Sequence, residues 1–138
     1  MPRDPLSHPL IEIAQDLRDR RVTARELVEA AIARHERVGE RLHAYSYWGP
    51  EQARAVALAA DAAFVAGVSA GPLQGLPVSI KDLFAAEGYP CFAGSSRRLP
   101  ADPWERDGPF GGRVAPPARG DHGEDPYGRV RVRRHRPK

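Results

Sequence analysis

The chain has 138 residues, 41% of them hydrophobic, enough for one domain with a core and too apolar for a disordered chain. Its net charge of +3 is unevenly placed: residues 111–138 hold 8 of the 21 Lys+Arg but 3 of the 18 Asp+Glu, so the tail is +5, while residues 1–110, with 13 basic and 15 acidic side chains, are −2. A whole-chain nucleic-acid surface is therefore excluded, and the single cysteine, Cys91, excludes an internal disulfide and a multi-cysteine metal cluster.

Cys91 reads as a small buried residue, and the expected compartment is the reducing cytoplasm. The opening "MPRDPLSHPL" puts proline and charge where a secretory leader needs an apolar run. With no apolar stretch near the roughly 18 residues that span a bilayer, a soluble chain without membrane contact is expected. The first helix is predicted over residues 9–20, "PLIEIAQDLRDR", with Leu10, Ile13, Ala14 and Leu17 on one stripe. The second opens at Thr23 with Glu26 three residues on, a capping box, continues its face through Leu27, Ala30, Ala31, Arg34 and Val38, and stops at Gly39. "LHAYSYW" alternates and reads as a short strand or extended link ended by Gly49-Pro50. The alanine-rich run from Glu51 to Gly67 is a third helix. All three helices read as scaffold, present to bury an apolar face.

Gly71, Pro72, Gly75 and Pro77 punctuate the next segment, after which "VSI" reads as a buried strand. Lys81 follows at its carboxyl end, where open α/β sheets assemble their sites. The alternatives are a lysine snorkelling to solvent and an Asp82 that either neutralises it or starts the next turn. The five histidines lack the i, i+4 spacing of metal-binding helices, and Trp48 and Trp104 read as packing or rim residues.

"GPLQGLPVSIKD", residues 71–82, resembles a segment of the amidase signature family, Gly-Pro-Leu-x-Gly-Ile-Pro-Val-x-Ile-Lys-Asp, with Leu76 in place of isoleucine. "VTARELVEAAIARHERV", "AGSS" and "DGP" look like the same family, so the resemblance covers residues 8–109. It implies an α/β fold in which N-terminal helices lead into the start of a mixed β-sheet, here incomplete. It also implies hydrolysis or transfer of amide C–N bonds in a small-molecule substrate by a Ser-cisSer-Lys triad, with no metal or organic cofactor. Lys81 matches the triad lysine, which relays a proton through a bridging serine to a nucleophilic serine; such a base must be neutral, and burial disfavours an ammonium. The serine motifs of the family, a Ser-Ser-Gly-Gly-like turn and a Gly-Gly-Ser-Ile-Arg-like loop that also supplies the oxyanion hole, do not occur in the sequence. Ser95 and Ser96 follow Lys81 too closely and match a non-catalytic position. The expectation is thus an amidase N-terminal part, residues 1–109, that is inactive alone.

After Pro109 the family continues with a helix and a strand leading into Gly-Lys-Thr-Asn/His-x-x-Glu-Phe-Ala, whereas this tail, residues 110–138, is rich in arginine, glycine and proline and reads as irregular or disordered. The genetic code connects the two. Read one nucleotide later, Glu124 before Asp125 yields only Lys or Arg, Asp125 before Pro126 only Thr or Ile, and Tyr127 before Gly128 only Thr or Met. With the permissive positions around them, residues 123–132 can read Gly-Lys-Thr-His-Thr-x-Glu-Phe-Ala-Phe. A frameshift near Phe110 is therefore expected. The rival readings are a basic nucleic-acid arm, since "RVRVRRHRPK" holds six cationic side chains in ten residues, and a non-catalytic interaction module with an exposed sheet edge.

Overall fold

The structure is a computed structural model that describes residues 4–106 and the backbone of a strand at 129–132. Three helices come first: α1 (Leu10–Arg18), α2 (Ala24–Arg34) and, after the strand β1 (Tyr45–Tyr47), α3 (Pro50–Val65). β2 (Val78–Lys81), a short turn α4 (Ala101–Trp104) and β3 (Arg129–Val132) follow, and a 3-10 turn at Pro5–Ser7 precedes α1. The sheet order is β1-β3-β2, with β3 antiparallel to β1 and parallel to β2, a mixed sheet as expected. The irregular tail expected from composition thus contributes one strand, in which Arg and Val alternate; the remainder of the tail, and the shifted reading of it, lies outside the described residues.

The first core is helical. Ile13, Ala14 and Leu17 of α1 meet Leu27, Val28 and Ile32 of α2 and the stripe Ala53, Ala57, Ala60 of α3. Alanines at that spacing let α3 approach α2 closely, because no long side chain separates the two backbones. Two expectations about faces are corrected. Leu10 is 60% exposed, being the first residue of α1 and beyond the reach of the core. On α2 the buried stripe runs through Val28 and Ile32, leaving Arg34 exposed, where its guanidinium pairs with Asp4.

The capping box is present as predicted: Thr23 Oγ1 accepts the Glu26 amide at 3.1 Å, and Glu26 Oε2 accepts the Thr23 amide at 2.8 Å. That backbone donor, with the Thr23 hydroxyl, holds the Glu26 carboxyl below the usual carboxylate range. A second cap comes from afar. Asp61 of α3 accepts the Ala24 and Arg25 amides at 2.7 and 3.2 Å, so a carboxylate sits where the α2 dipole is positive. Arg54 of α3 forks onto both oxygens of Glu29 at 2.8 and 3.0 Å, which lowers the Glu29 carboxyl and completes the α2–α3 contact.

Gly39 does not end α2 in a left-handed cap. Residues His35–Gly39 form one widened π-helical turn, and the Glu40 amide reaches back to the His35 carbonyl at 3.2 Å. Gly39 is buried there against the His35 ring; a Cβ would sit 2.1 Å from Nδ1. His35 in turn stacks on Trp48, ring centroids 4.0 Å apart, which confirms Trp48 as a packing residue. Trp104 is 41% exposed. At the other end, α3 closes as read, with Gly67 at φ 70°.

Candidate active site

The motif segment is built as a plug followed by a strand. Gly71 and Gly75 take φ values of 123° and 77°, which side chains bearing a Cβ rarely adopt. Gly75 is required twice, since a Cβ would approach Phe64 Cε2 to 2.9 Å and the Ala24 Cβ to 3.3 Å. Gln74, 3% exposed, fixes the loop internally: its Oε1 accepts the Ala70 amide at 2.6 Å and its Nε2 donates to the Val68 carbonyl at 3.1 Å. Leu76 then enters the helical core. The chain therefore leaves the core at a defined place and direction, and β2 begins two residues later.

β2 alternates rather than lying wholly buried, which corrects the sequence reading. Val78 is half-buried, Ser79 exposed, Ile80 buried and Lys81 half-buried. The cause is one-sided cover: Ile80 packs on Ala86 and Tyr89 with Tyr47 beside them. Lys81 is the last residue of β2, paired in register with Val132, as its placement at a strand's carboxyl end required. Its carbonyl accepts both the Leu83 and Phe84 amides, at 2.7 and 2.9 Å, so the chain turns sharply immediately after the lysine. Asp82 begins that turn and is 2% exposed, with Oδ1 accepting the Phe92 amide at 3.0 Å. The Cys91 thiol is buried and unbridged. Ser95 and Ser96 are exposed, and the Ser95 hydroxyl accepts the Arg97 amide at 3.1 Å.

A cleft of about 450 Å³ opens between α1, α2 and the sheet, lined by Ile13, Val28, Ile32, His35, Trp48 and Ser79 among others. Lys81 does not line it, so the cleft is a feature of the helical face and not of the lysine. Among the described residues no group of His, Cys, Asp and Glu is arranged to hold a metal ion, and no helix is long and apolar enough to cross a membrane.

Two signals in the sequence escape a motif reading. Gln74 and Asp82 are polar residues whose buried roles depend on partners in loops. The third signal needs only counting: Lys81 and Lys138 are the only lysines, every other cation of the 21 Lys+Arg being arginine. Arginine does not deprotonate in proteins, whereas lysine can act as a base. Within residues 1–137 a titratable cation of the lysine type stands at Lys81 alone.

Comparison with known proteins places this geometry in a family. The Amidase family model matches residues 26–103. The 2-amino-5-chloromuconic acid deaminase of Comamonas testosteroni is 43% identical over 105 residues, covering 76% of this chain and 22% of that protein. A glutamyl-tRNA(Gln) amidotransferase polypeptide of Granulibacter bethesdensis is 44% identical over 86 residues, 62% of this chain and 17% of that one. A solved amidase superposes with a TM-score of 0.70 at 31% identity, over 90% of this chain and 27% of its own. The chain thus spans about a fifth of the length of these curated relatives. With the family model matched across more than half its length, including β2 and Lys81, this chain belongs to the amidase family.

Proposed function

We propose that residues 1–109 are the N-terminal part of a domain that hydrolyses or transfers small-molecule amides, with Lys81 as the terminal base of a Ser-cisSer-Lys triad. The observation that carries this is the position of Lys81: the last residue of β2, half-buried, at the head of a tight turn, and the one lysine before the C-terminus. In the proposed reaction the Lys81 amine takes the proton of the bridging serine, which takes that of the nucleophile as it attacks the amide carbonyl. Backbone amides hold the resulting oxyanion, and the proton returns through the same relay to the leaving amine. The acyl group left on the serine is released by water or an acceptor amine whose proton passes back through the relay to the serine oxygen. Lys81 supplies only the base, so the 138-residue chain turns over no amide by itself. The cytoplasm is the proposed location, and no organic cofactor or metal enters the chemistry.

The tail, residues 110–138, is proposed to be a reading of the wrong frame and not a nucleic-acid arm. The support is the ordered recovery of Gly-Lys-Thr-His-Thr-x-Glu-Phe-Ala-Phe when residues 123–132 are read one nucleotide later, together with a family match that stops at residue 103. Sequencing the encoding DNA tests this first: an open shifted frame with Ser-Ser-Gly-Gly-like and Gly-Gly-Ser-Ile-Arg-like codons downstream is expected, and their absence sinks the proposal. Expression of the frame-restored chain tests the chemistry. Amide turnover is expected there and, at matched concentration, none from the 138-residue chain; turnover by the short chain that Lys81→Ala abolishes would overturn the reading.

A further inference from the structure

The residue after the lysine is built into the protein more deeply than the lysine itself. Asp82 is 2% exposed while Lys81 is half-buried. A carboxylate is among the costliest groups to bury, so its retention asks what it holds. The turn after β2 answers in part: Ile80, the last buried residue of the strand, faces the cluster of Ala86 and Tyr89, and Asp82, in the turn that follows, reaches the same loop. There Asp82 Oδ1 accepts the Phe92 amide at 3.0 Å. The loop it grips is packed, with Tyr89 and Cys91 buried, the Tyr89 ring edge-on to Tyr47 of β1 at 5.8 Å, and the Cys91 carbonyl accepting the Leu99 amide at 2.7 Å.

Lys81 is consequently fixed from two directions. Its carbonyl is tied into the turn by the Leu83 and Phe84 amides, and in the 138-residue chain β2 also pairs with β3, a strand of the tail whose sequence the frame-restored chain would not share. Asp82 joins that turn to the loop behind. We infer that Asp82 is a positioning residue for Lys81: its buried carboxylate locks the turn to the Ala86–Phe92 loop and thereby sets where the lysine amine emerges. The catalytic meaning rests on the proposed base role of Lys81; the mechanical claim does not.

The test uses the 138-residue chain and its two lysines. Competitive acetylation with acetic anhydride, resolved by peptide mass spectrometry, gives the rate at Lys81 relative to Lys138 as internal reference. Asp82→Leu keeps the branched shape and removes the acceptor; it is expected to change that ratio about threefold or more toward unity and to speed Phe92 amide exchange about tenfold. Asp82→Asn keeps an acceptor and is expected to hold the ratio within about twofold of the parent, a rescue that general destabilisation would not produce. An unchanged ratio in folded Asp82→Leu, or an Asn variant that behaves like Leu, overturns the inference. Should Asp82→Leu fail to fold, fast exchange of the Phe92 amide in the parent chain overturns it equally, and slow exchange with a preserved ratio in Asp82→Asn supports it. If the frame-restored chain hydrolysed amides after Lys81→Arg, the base role would fall while these labelling results stood.

Discussion

Gly75→Ala should be among the most damaging single-methyl additions in the described chain, and Gly67→Ala is its internal control. Both glycines have left-handed backbones, φ 77° and 70°, so each alanine meets the same backbone strain. That strain is about 1–2 kcal/mol. Each alanine also restricts the unfolded chain and recovers about 0.4–1 kcal/mol, a term common to both that cancels in the comparison. The surroundings differ. Nothing lies within 4 Å of a Cβ at Gly67, whereas a Cβ at Gly75 meets Phe64 Cε2 at 2.9 Å, the Ala24 Cβ at 3.3 Å and Leu17 Cδ1 at 3.4 Å. Ala24 and Leu17 are both buried in the first core and have no room to give, so the half-buried Phe64 ring, itself packed against that core, is the group that must move. Overpacking of this kind adds about 1–3 kcal/mol. With a urea m-value of about 1.5 kcal/mol/M, the Gly75→Ala midpoint should fall about 0.7–2 M further than that of Gly67→Ala. Equal midpoint shifts for the two variants would refute the argument that the motif glycine is needed for close approach as well as for its φ.

Asp61→Ala removes the carboxylate that caps α2 across the α2–α3 interface and should lower stability by about 1 kcal/mol in chemical denaturation, with faster exchange of the Ala24 amide; an unchanged midpoint would contradict the cap. The Glu26 carboxyl has a lowered folded pKa, so its stabilisation is complete above the unfolded carboxylate value and is lost as pH falls through the folded one. The melting-temperature gap between parent and Glu26→Gln should therefore be present at neutral pH and close on acidification, and a gap independent of pH would count against the capping box. Lys81→Arg keeps the charge at the strand end and should change the stability of the 138-residue chain by less than about 0.5 kcal/mol, read from the same urea curves; a larger loss would make Lys81 a structural residue.

What was legible in the sequence was local. The Thr23–Glu26 box declares itself because both partners lie within one turn, and Gly67 marks a helix end by its own backbone freedom. Lys81 was legible through the residues that precede it, where turn glycines and prolines isolate a short strand. The unread features depend on partners distant in sequence or on packing. Asp61 caps a helix 37 residues before it, and Gly39 serves a π-turn whose geometry follows from His35 filling the space beside it. β2 is only four residues long, too short for its periodicity to show that only the Ile80 side is covered. β3 escaped for another reason: arginine-rich composition argued against a strand, while alternating Arg and Val at 129–132 suits one.

The most direct measurement is ammonia release from small amides by the frame-restored chain and by its Lys81→Arg variant. Arginine preserves the positive charge but not the capacity to accept a proton, so the variant should lose about 100-fold or more in kcat while remaining folded. A Lys81→Arg chain that hydrolyses amides at the parent rate would contradict the assignment of Lys81 as the base.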